Sequence, residues 1–154
     1  MNNNTPNDHL TIESLWQFSL QYYSMREIKE ACLNLQNHFH GNVNLLLALK
    51  WLDEHGLTFP TSLWPQIIQS LGRTEALLLH FRELRRKSKQ HLPESLYRDS
   101  LQFELQLERQ QQADIIDIIH RIELTQVDAP HLADDYCHQL GAEHLAVIFN
   151  KQRP

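Results

Sequence analysis

Between Asn42 and Gly56 the chain reads N-V-N-L-L-L-A-L-K-W-L-D-E-H-G. No other stretch limits the possible folds so strongly. Wound as a helix, Val43, Leu45, Leu46, Leu47, Ala48, Leu49, Trp51 and Leu52 are apolar on nearly every side. A helix of that kind is stable in water only when other elements surround it. Asn42 has the side chain of an N-cap, and Gly56 suits the stop. Lys50 interrupts the run, which is too short to cross a bilayer. The expected fold is therefore all-α: a compact, irregular bundle of about six or seven helices around a buried central helix at about 42–55.

The surrounding helices follow from apolar periodicity and breakers. The first is expected from a cap near Thr11 to Tyr23, with Leu15, Phe18, Leu20 and Tyr22 inward and Trp16 widening the stripe. A second spans Arg26–Phe39, where Ile28, Ala31, Cys32, Leu35 and Phe39 share a face, and Gly41 marks its end. Residues 57–65 read as a connector containing Pro60 and Pro65, followed by a short helical segment to Leu71. Gly72 and Thr74 divide that segment from a stronger helix, Thr74–Lys89, carrying Leu77, Leu78, Phe81 and Leu84. Pro93 opens a long helix from Glu94 to about Leu124, frayed or bent near Gln110–Gln112. Its β-branched run of Ile115, Ile116, Ile118, Ile119 and Ile122 would suit a strand, but the length and the intervening charges favour helix. Beyond Pro130, short helices are expected around His131–Leu140 and Ala142–Asn150. Residues 1–9 read as a flexible tail and residues 10–154 as one helical domain.

Charge and motifs narrow the function. A formal charge of -5 gives the chain as a whole no attraction for nucleic acid or anionic membrane. Cys32 and Cys137 form neither a CxxC site nor a disulfide framework, and the N-terminus lacks the basic and apolar regions of a secretory signal. A reducing cytosol is the expected compartment. Phosphate-binding glycine loops are missing, so no cofactor is expected. Cys32 lies on an apolar face and Ser19 has no base partner visible in the sequence, which leans against an enzyme.

Three constellations remain. Arg82, Arg85, Arg86, Lys87 and Lys89 place five of the 14 cations in eight residues. Such a run can hold phosphate. If the helices flanking Pro93 fold back on one another, Arg85 and Arg86 instead come near Asp99, and Arg82 near Glu104, which is the favoured reading. Gln36, Asn37, Asn42 and Asn44 gather at the junction of the second and third helices. Asn42 is explained as a cap, while Asn44, inside an apolar helix, needs partners, expected from the preceding loop rather than from a ligand. His131, Asp135 and His138 share a helix face at i, i+4, i+7, the weak candidate for a metal. Glu104 and Glu108 lack the ExxH partner of a di-metal helix site.

The runs LWQFSLQYYS, ACLNLQNHFHGNVNLLLALKWL and FRELRRKSK followed by FELQLER resemble a family of small bacterial proteins, found mainly in proteobacteria and defined by a domain of unknown function. The resemblance covers roughly residues 12–112. It departs from the family pattern at Leu15, at Met25-Arg26-Glu27, at Asn37 and Asn42 and at His80. It implies a bacterial source and a helical fold, and brings no established activity. It also points to one group of residues: Trp16, Gln36, Asn44, Arg82, Arg85, Arg86, Lys89, Glu104 and Glu108, a candidate ligand or partner site or else the network that fixes helix packing. The expected function is a non-catalytic interaction or regulatory protein with another protein as partner. The first alternative is a protein or enzyme that binds an anionic small molecule near Asn44 and Arg82–Lys89, and the second is phosphate or nucleic-acid contact through the basic run.

Overall fold

The computed structural model describes residues 9–151; the expected flexible tail lies, for residues 1–8, outside them. Among the described residues there are seven α-helices: α1 (Ile12–Tyr23), α2 (Arg26–Phe39), α3 (Val43–Glu54), α4 (Trp64–Ser88), α5 (Glu94–Arg121), α6 (Leu132–Gln139) and α7 (Glu143–Phe149). A 3-10 turn, Thr61–Leu63, precedes α4.

Helix α3 is the centre of the bundle, as its composition requires. Leu45 to Leu49, Trp51 and Leu52 are all buried, and α1, α2, α5 and α6 pack around it. Asn42 caps its start, accepting from the Leu45 amide at 3.0 Å. At its far end Asp53 caps a different helix, its carboxylate accepting from the Leu132 and Ala133 amides of α6 at 2.8 and 3.1 Å. The Tyr136 hydroxyl of α6 accepts from the Asn42 amide at 2.9 Å, so α3 and α6 are tied at both ends. Between α2 and α3 the left-handed residue is His40 (φ 59°), not the expected Gly41. Gly41 is buried for another reason: a methyl group there would lie 2.6 Å from Leu35 Cγ and 3.0 Å from Leu140 Cδ1.

Several expectations are corrected. Leu20 is 51% exposed. It lies about 140° round the helix from Leu15, whereas Phe18, Ser19 and Tyr22 stay within the buried stripe. The expected break at Gly72 and Thr74 does not occur. Helix α4 runs unbroken through both, with Pro65 inside its first turn rather than in the connector. Glycine inside a helix costs about 1 kcal/mol, less than the burial of Ile67, Leu71 and Leu78 on one face returns. Helix α5 likewise continues through Gln110–Gln112 and stops at Arg121. The chain beyond turns extended, and β2 (Thr125–Gln126) pairs antiparallel with β1 (Leu57–Thr58), Leu57 opposite Gln126, a ladder not expected from the sequence.

Helices α4 and α5 form an antiparallel hairpin, with Phe81 and Phe103 in ring contact at 5.1 Å. At 25 and 28 residues they are about 37 and 42 Å long. Burial on α4 extends no further than Arg82, and on α5 it begins at Gln111. The hairpin therefore leaves the core, and Leu77, Leu84 and Phe103, the first two among the apolar residues of the expected 74–89 helix, are exposed on it.

Candidate functional site

Two consecutive glutamines on α5, Gln111 and Gln112, are 0% and 1% exposed. Each continues the buried stripe one turn before Ile115 and Ile116, so helix periodicity puts them inside. Buried amides must find partners, and here they form a directed chain. Gln111 Nε2 donates to Glu75 Oε2 (3.0 Å) and Thr74 Oγ1 (3.2 Å) on α4. Its Oε1 accepts from Asn44 Nδ2 at 2.8 Å. Asn44 Oδ1 accepts from Gln112 Nε2 at 3.3 Å, and the same nitrogen donates to Ser19 Oγ at 2.9 Å. Asn44 is thus satisfied by α5 and not by the preceding loop, because its position on α3 turns it toward the neighbouring helix.

The carboxylate at one end sets the direction of the chain. The Glu75 carboxylate oxygen accepts, so Gln111 presents its amino group to it and its oxygen to Asn44. Asn44 must then turn its own oxygen to Gln112, whose amino group is consumed in turn. Gln112 Oε1 is left over, buried and without a hydrogen-bond partner, the one such side-chain atom among the described residues. Unsatisfied buried acceptors are rare in folded proteins and call for an explanation.

That oxygen belongs to a residue lining a cleft of about 180 Å³ between α1, α2, α3 and the root of the α4–α5 hairpin. Trp16, Leu20 and Tyr23 line it from α1, Gln36 from α2, Val43, Asn44 and Leu47 from α3, and Arg82, Leu105 and Glu108 from the hairpin. The Gln36 side chain makes no hydrogen bond among the described residues. Arg82 is only 7% exposed, and its guanidinium lies 3.3 Å from Glu108 and 3.9 Å from Glu104. Arg85 bonds to Glu104 and Tyr97 behind the cleft. Burial raises the pKa of Glu108 above its ordinary value, with Arg82 opposing. Burial likewise raises that of the Tyr23 phenol, with nearby Cys32 and Glu108 adding to the effect. At the rim, Arg109 sits over the Trp16 ring at 5.5 Å.

Of the residues singled out in the sequence, the cleft brings together Trp16, Gln36, Asn44, Arg82 and Glu108. Glu104 and Arg85 stand behind as its ion-pair support, while Arg86 and Lys89 are exposed on the hairpin, Lys89 over the Tyr97 ring at 5.7 Å. Neither Arg85 nor Arg86 pairs with Asp99; Glu104 takes Arg85 instead, because the hairpin register sets them opposite. Ser19, Tyr23 and Gln112 were not singled out as site residues. The signal for Gln112 was its place one turn before Ile116, in phase with the buried stripe. The metal candidate does not assemble. His131 bonds Asp135 at 3.0 Å, while His138 turns to Asp134 at 3.4 Å. No group of three metal-binding side chains is found among the described residues. Both cysteines are buried and free, and burial lifts each thiol to about 12. Inside the cleft no histidine is present, and the Ser19 hydroxyl is occupied by the Gln112 amide. What the lining offers is hydrogen bonding and apolar contact.

Fold and site together define an all-α bundle with a small, partly enclosed cleft of mixed, mainly apolar lining beside its central helix. The chain belongs to the family described as "Protein of unknown function (DUF2390)", which matches residues 14–115. All the cleft-lining residues fall within that segment, and α6 and α7 lie beyond it. Neither the curated proteins nor the solved structures give a match.

Proposed function

We propose that this chain is a non-catalytic binding protein for a small polar molecule, which enters the cleft between α1, α3 and the hairpin root and donates a hydrogen bond to Gln112 Oε1. The unpartnered, buried oxygen carries the reading, since a ligand that shifts the side chains covering it would satisfy it with a donor. Gln36, Asn44 and Arg82 supply further polar contact, and Trp16 and Tyr23 the apolar walls. A regulatory role fits a binder built without a nucleophile–base pair, in which occupancy of the junction between core and hairpin is the signal. An anionic ligand has less support, because Arg82 is already held by two carboxylates and Arg85, Arg86 and Lys89 do not line the cleft. Nucleic-acid contact is weakened in the same way, with Arg82, Arg85 and Lys87 each facing a glutamate. The reading extends to a reducing bacterial cytosol, supported by the resemblance noted above and by the two free buried thiols.

Thermal unfolding in a size-filtered small-molecule extract of bacterial cells tests this. The midpoint of the wild-type chain should rise by a few degrees, as expected for a ligand that binds only the folded state, and that of Gln112→Met should rise far less. A flat response in the wild type, or the same rise in both, contradicts the reading.

A further inference from the structure

We infer that the molecule taken by this cleft is uncharged and flat and carries an amide-type N–H donor beside an acceptor, as a primary carboxamide or a nucleobase does. The inference rests on the binding function proposed above and names its ligand class. Four observations converge on it. Gln112 Oε1 lacks a donor, and a ligand that shifts the side chains covering it can supply an N–H or O–H group. Gln36, on the same cleft and free of partners, offers both a donor and an acceptor, the complement of another amide. Charge is already balanced, Arg82 and Arg85 against Glu104 and Glu108, with the side chain of Arg82 9% exposed and that of Glu104 14%. A ligand of either sign would place an uncompensated ion among these groups, which the loss of hydration disfavours. Finally, the walls include Trp16, Tyr23, Val43 and Leu47, apolar and aromatic surfaces against which a planar ring packs.

Three probes of one shape and different charge separate the alternatives: benzamide, benzoate and benzamidine. The full chain, labelled with nitrogen-15, is titrated with each at neutral pH, following the side-chain amide signals of Gln36, Asn44 and Gln112 and the Trp16 indole. Benzamide should move these signals with a dissociation constant at least tenfold lower than either charged probe. Gln112→Met should weaken benzamide about tenfold. Since that change also strands Ser19 and Asn44 and can unfold the chain, Gln36→Ala serves as a second variant at a half-buried position, expected to weaken benzamide several-fold with a native spectrum. Tighter binding of benzoate or benzamidine at the same signals overturns the ligand class and leaves the binding function standing. If no probe moves the signals while cell extract still stabilises the wild type but not Gln112→Met, the class is again overturned alone. If the extract also has no effect, both readings fall.

Discussion

At the scale of single residues, a carboxylate on α4 determines which end of an amide on α5 is left without a partner beside the cleft. Glu75 orders Gln111, Gln111 orders Asn44 and Asn44 orders Gln112, each because an amide has only one end that donates. None of this direction could be read from the sequence. Asn44 was legible as an inward amide needing partners, but the expectation turned to its own loop, since short polar side chains near helix starts usually bond locally. Glu108 shows a second residue-scale effect, which can be measured. Its pKa is raised above the ordinary 4.5, burial outweighing Arg82. The folded chain therefore holds this proton more tightly than the unfolded one. Its contribution favours folding below pH 4.5 and is lost as pH rises through the raised folded value. Urea unfolding as a function of pH should show Glu108→Gln losing part of the fall in stability between pH 4.5 and the folded value. A wild-type slope retained in the variant would contradict the assignment.

Elements were the most legible level. Helices α1 and α3 begin and end where caps and periodicity put them, because Thr11, Asn42 and Gly56 act locally, while α2 keeps its expected bounds through periodicity although His40 and not Gly41 takes the left-handed turn. The sequence misleads where a local preference is outvoted by packing, as at Gly72, and where pairing is too remote to leave a local trace, as in the β1–β2 ladder. Two glycines make the contrast testable. Gly72 is exposed within α4, and a methyl group there meets nothing within 4 Å. Gly72→Ala should therefore stabilise the chain by about 0.5–1 kcal/mol. At Gly41 the added methyl would lie 2.6 Å from Leu35, itself fully buried, so Gly41→Ala should destabilise by about 1–3 kcal/mol. Chemical denaturation of both variants checks the pair. Equal effects would mean that the glycines serve a common role.

Across the whole molecule, a core built on α3 is joined to a long two-helix limb, and the cleft lies where the limb departs. A ligand there touches α1, α2 and α3 on one side and α4 and α5 on the other, so binding can brace the limb against the core. The apolar central helix made the bundle predictable. The limb was not, because leucines such as Leu77 and Leu84 fit a helical stripe whether or not anything covers it. Likewise the cleft needed coordinates, since its walls come from five helices that only tertiary packing brings together. The central claim is that the cleft is occupied by a small molecule when the protein works. Native mass spectrometry of the chain gently purified from its own cells reads this directly. The account predicts a discrete added mass of small-molecule size on the wild type that is lost from Gln112→Met. A bare chain mass for the wild type at every step of purification, or an adduct that survives in Gln112→Met, would contradict it.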